Sequence, residues 1–138
     1  MNSDSLIVFE EHGPVVVGKV QTASVLDARN VSNLGRELLS FAERVPAAQI
    51  LLDFSQVTYL SSAVLNELLK VHRKLLETNG SLRLASLNQD IRKVFEITNL
   101  DKVFVIYESC SDGIRKFQRS LEIEAQDRAW KIDDNGDT

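Results

Sequence analysis

Apolar residues recur along this chain with two different periods, and the switches between them outline a fold. Leu6-Ile7-Val8-Phe9 is apolar and β-branched and predicts a first strand. Glu10-Glu11-His12-Gly13-Pro14 interrupts it with turn residues, and Val15 to Val20 predicts a second strand. So short a Gly-Pro connection predicts an antiparallel hairpin. Residues 21–30 are polar and mixed. Val31, Leu34, Leu38, Phe41, Ala42 and Val45 then fall on one helical face, with Asn30 or Asp27 placed to cap its start and Pro46 to stop it. Gln49 to Phe54 is almost continuously apolar, the pattern of a central strand buried on both faces.

After Thr58-Tyr59-Leu60 the helical period returns. Val64, Leu65, Leu68, Val71, Leu75 and Leu76 predict a long helix, ended by Asn79-Gly80, which tolerate the left-handed conformation of a C-terminal cap. Leu82 to Ala85 predicts a strand, and Ile91, Val94 and Phe95 a short helix closing near Asn99. Val103 to Tyr107 predicts the last strand. Ile114, Phe117 and Leu121 predict a final helix, with Ser109 and Asp112 at capping-box spacing. The order β-β-α-β-α-β-α-β-α implies an α/β domain: a mixed, mostly parallel sheet with an N-terminal hairpin and four helices.

Composition narrows the class. The 138 residues suit one domain, with 43% apolar and 26% charged residues, as in ordinary soluble globular proteins. The net charge of −4 sits in the last stretch: from Glu122 onward there are six acidic residues (Glu122, Glu124, Asp127, Asp133, Asp134, Asp137) against Arg128 and Lys131. The expected division is a folded domain over 1–123 and an acidic, mobile tail over 124–138. The balanced body offers no basic stripe for nucleic acid. No apolar run approaches the roughly 20 residues that cross a bilayer. The start, Met1 to Ser5, lacks the basic region of a signal peptide, and the one cysteine, Cys110, allows no internal disulfide. A cytoplasmic location is expected.

The residues that carry chemistry are sparse. His12 lies beside a turn, and His72 is expected on a helix surface; neither has a partner at a metal-ligand spacing, so no metal is expected. The six glycines form no phosphate-binding pattern, no cofactor is implied, and no serine sits in a nucleophile elbow. Cys110 stands at a helix start, where a thiolate is favoured, but a lone cysteine there is more often structural. Asp133 to Asp137 lacks the alternation and distal Glu of a calcium loop. These absences describe a binding module rather than a catalyst. The local feature left over is Leu60-Ser61-Ser62, where Ser61 is placed to cap the long helix and Ser62 to begin it.

Around those serines the chain resembles a family. Asp53-Phe54-Ser55-x-Val57-x-Tyr59-Leu60-Ser61-Ser62-Ala63-Val64-Leu65 is similar to the signature of the STAS domain in bacterial anti-sigma factor antagonists, Asp-Leu-Ser-x-Val-x-Phe/Tyr-Met/Ile-Asp-Ser-Ser/Thr-Gly-Leu. Leu26-Asp27-Ala28, Gly80 to Leu84, and Val94-Phe95-x-Ile97-Thr98-x-Leu100 with Val103-Phe104 resemble other family segments in the same order, so the likeness covers about residues 6–120. It implies a STAS-like single domain that binds an anti-sigma factor acting as a serine-protein kinase. It also implies that the kinase phosphorylates the antagonist to end the binding, that a phosphatase reverses this, and that the chain is a monomer or weak dimer. By the same resemblance the phosphoacceptor falls on Ser62, with Ser61 as second choice, and the partner-binding set is Asp27, Asn30, Tyr59, Ser61, Ser62 and Ala63. Ser61 stands where the family has Asp, and Ala63-Val64 where it has Ser/Thr-Gly. A STAS scaffold or transporter-associated module that is never phosphorylated is the alternative.

Overall fold

The computed structural model describes residues 5–25 and 27–136, with side chains as far as Arg128. Leu26 of the Leu-Asp element, the first four residues, the last two, and the side chain of Trp130 lie outside the described residues. The elements are β1 (Ile7–His12), β2 (Val15–Val20), β3 (Ser24–Val25), α1 (Ala28–Arg44), β4 (Gln49–Asp53), β5 (Tyr59–Leu60), α2 (Ser62–Glu77), β6 (Ser81–Ala85), α3 (Gln89–Ile97), a 3-10 turn over Leu100–Lys102, β7 (Ile106–Tyr107) and α4 (Cys110–Gly136). The main sheet runs β1-β2-β4-β6-β7, with β1 antiparallel to β2 and every other pair parallel. The α/β architecture with its N-terminal hairpin is therefore as the patterning implies.

The layering follows from β4. Ile50 and Leu52 point to one side of the sheet and Leu51 to the other, and none is exposed. A strand without a polar face must lie inside the sheet with cover on both sides. On the first side α1, α2 and α3 bring Val31, Leu34, Leu38, Val64, Leu68, Val71, Leu75, Ile91 and Phe95 against Ile50, Leu52, Leu82 and Leu84. On the second side α4 alone brings Phe117 against Val15, Val17, Leu51 and Ala85, with Ile114 and Leu121 alongside.

Polar contacts hold these layers in register. Glu37 of α1 accepts from Leu6 N at 2.9 Å, Ile7 N at 3.1 Å and Ser5 Oγ at 2.7 Å, so a helix carboxylate satisfies the backbone entering edge strand β1. Gln118 Nε2 of α4 donates to His12 O at 2.8 Å and so ties α4 to the hairpin turn. Arg83 of β6 lies 4.2 Å from the centroid of the Phe117 ring while donating to Tyr107 Oη at 2.9 Å and Ser120 Oγ at 3.2 Å. At the end of α2, Asn79 takes the left-handed conformation, φ 64°, and Gly80 follows because a Cβ there would run into the Ala48 carbonyl. That close approach sets β6 beside β4, with Ser81 N donating to Ala48 O at 3.0 Å.

The structure corrects the sequence reading at five places. Glu10-Glu11-His12 is not turn but continues β1, paired with Val17, Val16 and Val15. The last strand is Ile106–Tyr107, not Val103 to Tyr107: the chain first makes the 3-10 turn, then buries Phe104 while Val103 and Val105 stay exposed. An uninterrupted apolar segment of that kind reads as a strand over its whole length, although only its last two residues form one. Two short strands, β3 and β5, lie in segments to which the apolar pattern assigns no element; they pair in parallel as a separate ladder. The final helix passes residue 124 and runs to Gly136, since no proline or glycine interrupts it between Gly113 and Gly136; its apolar stripe stops at Leu121, and residues 122–128 are exposed. His72 is half-buried rather than a surface residue. Its ring packs 5.0 Å from that of Phe104, and its Nδ1 is buried without a hydrogen-bond partner.

Burial holds the His72 imidazole below its ordinary pKa of 6.5. Between that value and the depressed folded value the unfolded chain binds more protons, so stability falls as the pH drops through this window. A His72→Phe variant keeps the ring contact and removes the titration. Its melting temperature is expected to fall less than that of the parent between pH 7.5 and pH 5.5 in thermal denaturation, whereas an equal fall would show that His72 does not contribute.

Candidate functional site

The small β3–β5 ladder builds the site. Ser24 pairs with Tyr59 and Val25 with Leu60, and Ser61 N donates to Val25 O at 2.9 Å. Ala23 O accepts from Thr58 N at 2.7 Å and Tyr59 N at 3.1 Å, closing the entry to the ladder. A helix follows each strand in the chain, α1 after β3 and α2 after β5, so two helix N-termini lie near one ladder. Asn88 adds a third contact. It caps α3 by accepting from Ile91 N at 2.8 Å, and its Nδ2 donates to Thr58 O at 3.0 Å. The start of α3 is thereby fastened to the segment that leads into Ser61.

The residues read from the sequence gather here. Asp27 is exposed and caps α1, its Oδ1 accepting from Asn30 N at 2.8 Å. Asn30 is half-buried, and its Nδ2 donates to Asp27 Oδ2 at 3.4 Å. Tyr59 is 61% exposed on β5. Ser62 and Ala63 are exposed in the first turn of α2, whereas Val64 beside them is buried. Ser61 occupies the N-cap position with extended backbone, as expected, but its side chain makes no capping hydrogen bond. Its Oγ is buried and unpartnered. The first turn of α2 also carries no acidic side chain.

Asp53 at the end of β4 and Cys110 at the start of α4 lie close to one another in the main sheet's layer. Asp53 is only 2% exposed at the end of β4, and its carboxylate accepts from Ser55 N at 3.0 Å and Ser55 Oγ at 3.2 Å. These bonds turn the chain out of the sheet toward β5. Burial, reinforced by the Asp53 charge, pushes the Cys110 thiol up from its ordinary pKa, and Lys19 opposes this only in part. The structural role weighed for this cysteine therefore fits better than a reactive one. Among the described residues no group of three or more His, Cys, Asp or Glu side chains is placed to hold a metal, and no helix is long and apolar enough to cross a membrane.

Sequence reasoning missed Ala23, Ser24, Thr58 and Asn88. The first three act through backbone pairing, which leaves no trace in residue type. Asn88 did leave a signal, since it stands three residues before Ile91 at N-cap spacing.

A family model of the STAS domain matches residues 7–113. The chain belongs to the STAS domain family. The protein named "Putative anti-sigma factor antagonist BtrV" from Bordetella bronchiseptica is 29% identical over 97 residues, which span 70% of this chain and 83% of that protein. Among solved structures, an anti-sigma-factor antagonist (STAS) domain protein from Planctomyces limnophilus has a TM-score of 0.71 at 18% identity, over 80% of this chain and 96% of its own. The anti-sigma factor antagonist SpoIIAA in its unphosphorylated form has a TM-score of 0.69 at 18% identity, over 81% of this chain and 96% of its own. At such identities these structural likenesses concern the STAS fold alone.

Asn88 joins α3 to the approach to Ser61, so its removal costs more than a helix cap. Asn88→Ala is expected to lower stability by about 1–2 kcal/mol in urea denaturation. It should also speed amide exchange at Tyr59 and Ser61 more than at β4; a uniform change across the chain would contradict this link.

Proposed function

We propose that this STAS protein is an anti-sigma factor antagonist. It binds an anti-sigma factor that is also a serine kinase, through Asp27, Asn30, Tyr59 and the start of α2, and phosphorylation of Ser62 ends the binding. The observation that carries this reading is the contrast between the two serines: Ser62 is exposed at the first position of α2, while the Ser61 hydroxyl is buried. A kinase reaches the first and not the second, which favours Ser62 over Ser61 as acceptor. The named relative is consistent with this role.

The chemistry belongs to the partner. Ser62 Oγ attacks the γ-phosphorus of ATP, its proton passes to a base of the kinase, and ADP leaves. The STAS protein supplies an accessible hydroxyl on a rigid helix start. The phosphate adds roughly −1.5 to −2 charge at neutral pH. Amides and helix dipole at the N-terminus of α2 tolerate that charge, so the fold survives. A partner packed over Tyr59 and Ala63 meets a new desolvation cost and a new charge, so binding is lost without unfolding. A phosphatase that removes the group restores binding, and the exchange takes place in the cytoplasm.

Ser62→Asp tests the switch. The variant is expected to keep the parent's circular dichroism and to bind the cognate anti-sigma kinase roughly tenfold or more weakly, about 1.4 kcal/mol, by calorimetry. Equal affinity would refute the switch. Intact mass after incubation with ATP and that kinase checks the modification itself: one added phosphate, lost in Ser62→Ala, supports it, and none would make the chain a STAS scaffold.

A further inference from the structure

The start of α2 holds an unused donor beside the modification site. Ser61 has the backbone of an N-cap, φ −87° and ψ 161°, from which a serine oxygen ordinarily reaches the second or third helical amide. Here the hydroxyl makes no such bond, and its Oγ is buried with no partner at all. Buried side-chain polar atoms are overwhelmingly paired, so an orphan of this kind calls for a cause. Val64 N already takes the Ser61 carbonyl at 3.1 Å, whereas the amides of Ser62 and Ala63 precede any intrahelical acceptor. With no acidic side chain in the first turn, negative charge at this helix start meets no repulsion from the turn itself.

We propose that Ser61 is a positioning residue for a phosphate on Ser62. On modification, rotation about the Ser61 Cα–Cβ bond carries Oγ–H out of its unpaired place to donate to a phosphate oxygen, and the first amides of α2 share the remaining charge. The phosphate is then fixed against the helix instead of swinging in solvent, and the unmodified state keeps the hydroxyl in reserve. This inference rests on the reading of Ser62 as phosphoacceptor and adds how the protein itself reads the group.

The test installs phosphoserine at position 62 of the full chain during translation and follows the phosphate by phosphorus NMR against pH. Hydrogen bonds to the dianion lower its second pKa, so the folded chain is expected to titrate roughly half a unit or more below the same chain in urea, whose value is about 6. Ser61→Ala should move the folded value back toward the unfolded one, and Ser61→Thr, which retains the hydroxyl, should restore it. Equal values in parent and Ser61→Ala, or a Thr variant that titrates like Ala, would overturn the proposal. A thermal melt of the unmodified chain adds a second check: Ser61→Ala should leave its melting temperature unchanged or raise it, because an orphan is removed, and a clear drop would mean the hydroxyl already has a partner. Because the phosphate is installed without a kinase, this result stands or falls separately from kinase binding.

Discussion

The two-sided burial of β4 is the constraint on which the rest of the structure depends. Ile50, Leu51 and Leu52 leave the strand no polar face, so it must be covered from both directions. Three helices cover one face and α4 alone covers the other. The thinner cover relies on few side chains, chiefly Phe117 with Ile114 and Leu121, and on Arg83, which stacks on Phe117 and bonds to Tyr107 and Ser120. Each fully buried apolar side chain of this size contributes roughly 1.5–3 kcal/mol.

The same strand sets the place of the site. Where β4 ends, the buried Asp53 carboxylate binds Ser55 and turns the chain outward. It cannot continue as sheet there, so it pairs with β3 in a two-residue ladder before α2 begins. The ladder joins the starts of α1 and α2, and Asn88 adds that of α3. The surface proposed for partner binding, which draws on the starts of two helices, is thus held by backbone bonds rather than by a pocket.

Much of this was legible in the residues. Period and breakers located the hairpin, β4 and all four helices, though not the full length of the last, because burial there is strong along each element. Asp27 and Ser62 were legible as helix-start residues, and the motif from Asp53 to Leu65 pointed to the family. The misses share a cause. The ladder of β3 and β5 depends on main-chain pairing between Ser24-Val25 and Tyr59-Leu60, which no side-chain pattern announces. Val103-Phe104-Val105 is continuously apolar, as a buried strand is, but brings only Phe104 into the core. His72 looked polar in sequence, and only the arrival of Phe104 across from it made its ring part of the interior. The Ser61 hydroxyl was expected to cap; which rotamer a serine takes is decided by packing, which sequence does not reveal.

The chain presents Tyr59, Ser62 and Ala63 outward while keeping the Ser61 hydroxyl in. A partner that reads this surface should therefore touch a narrow set of residues on one edge of the molecule. The most direct measurement is a nitrogen-15 chemical-shift map of the full chain titrated with the anti-sigma factor proposed as its partner. The account predicts that the largest changes fall on residues 27–33 and 58–66 and spare α4 and the β1–β2 hairpin. Changes centred on α4 or on the hairpin, with the start of α2 untouched, would contradict it.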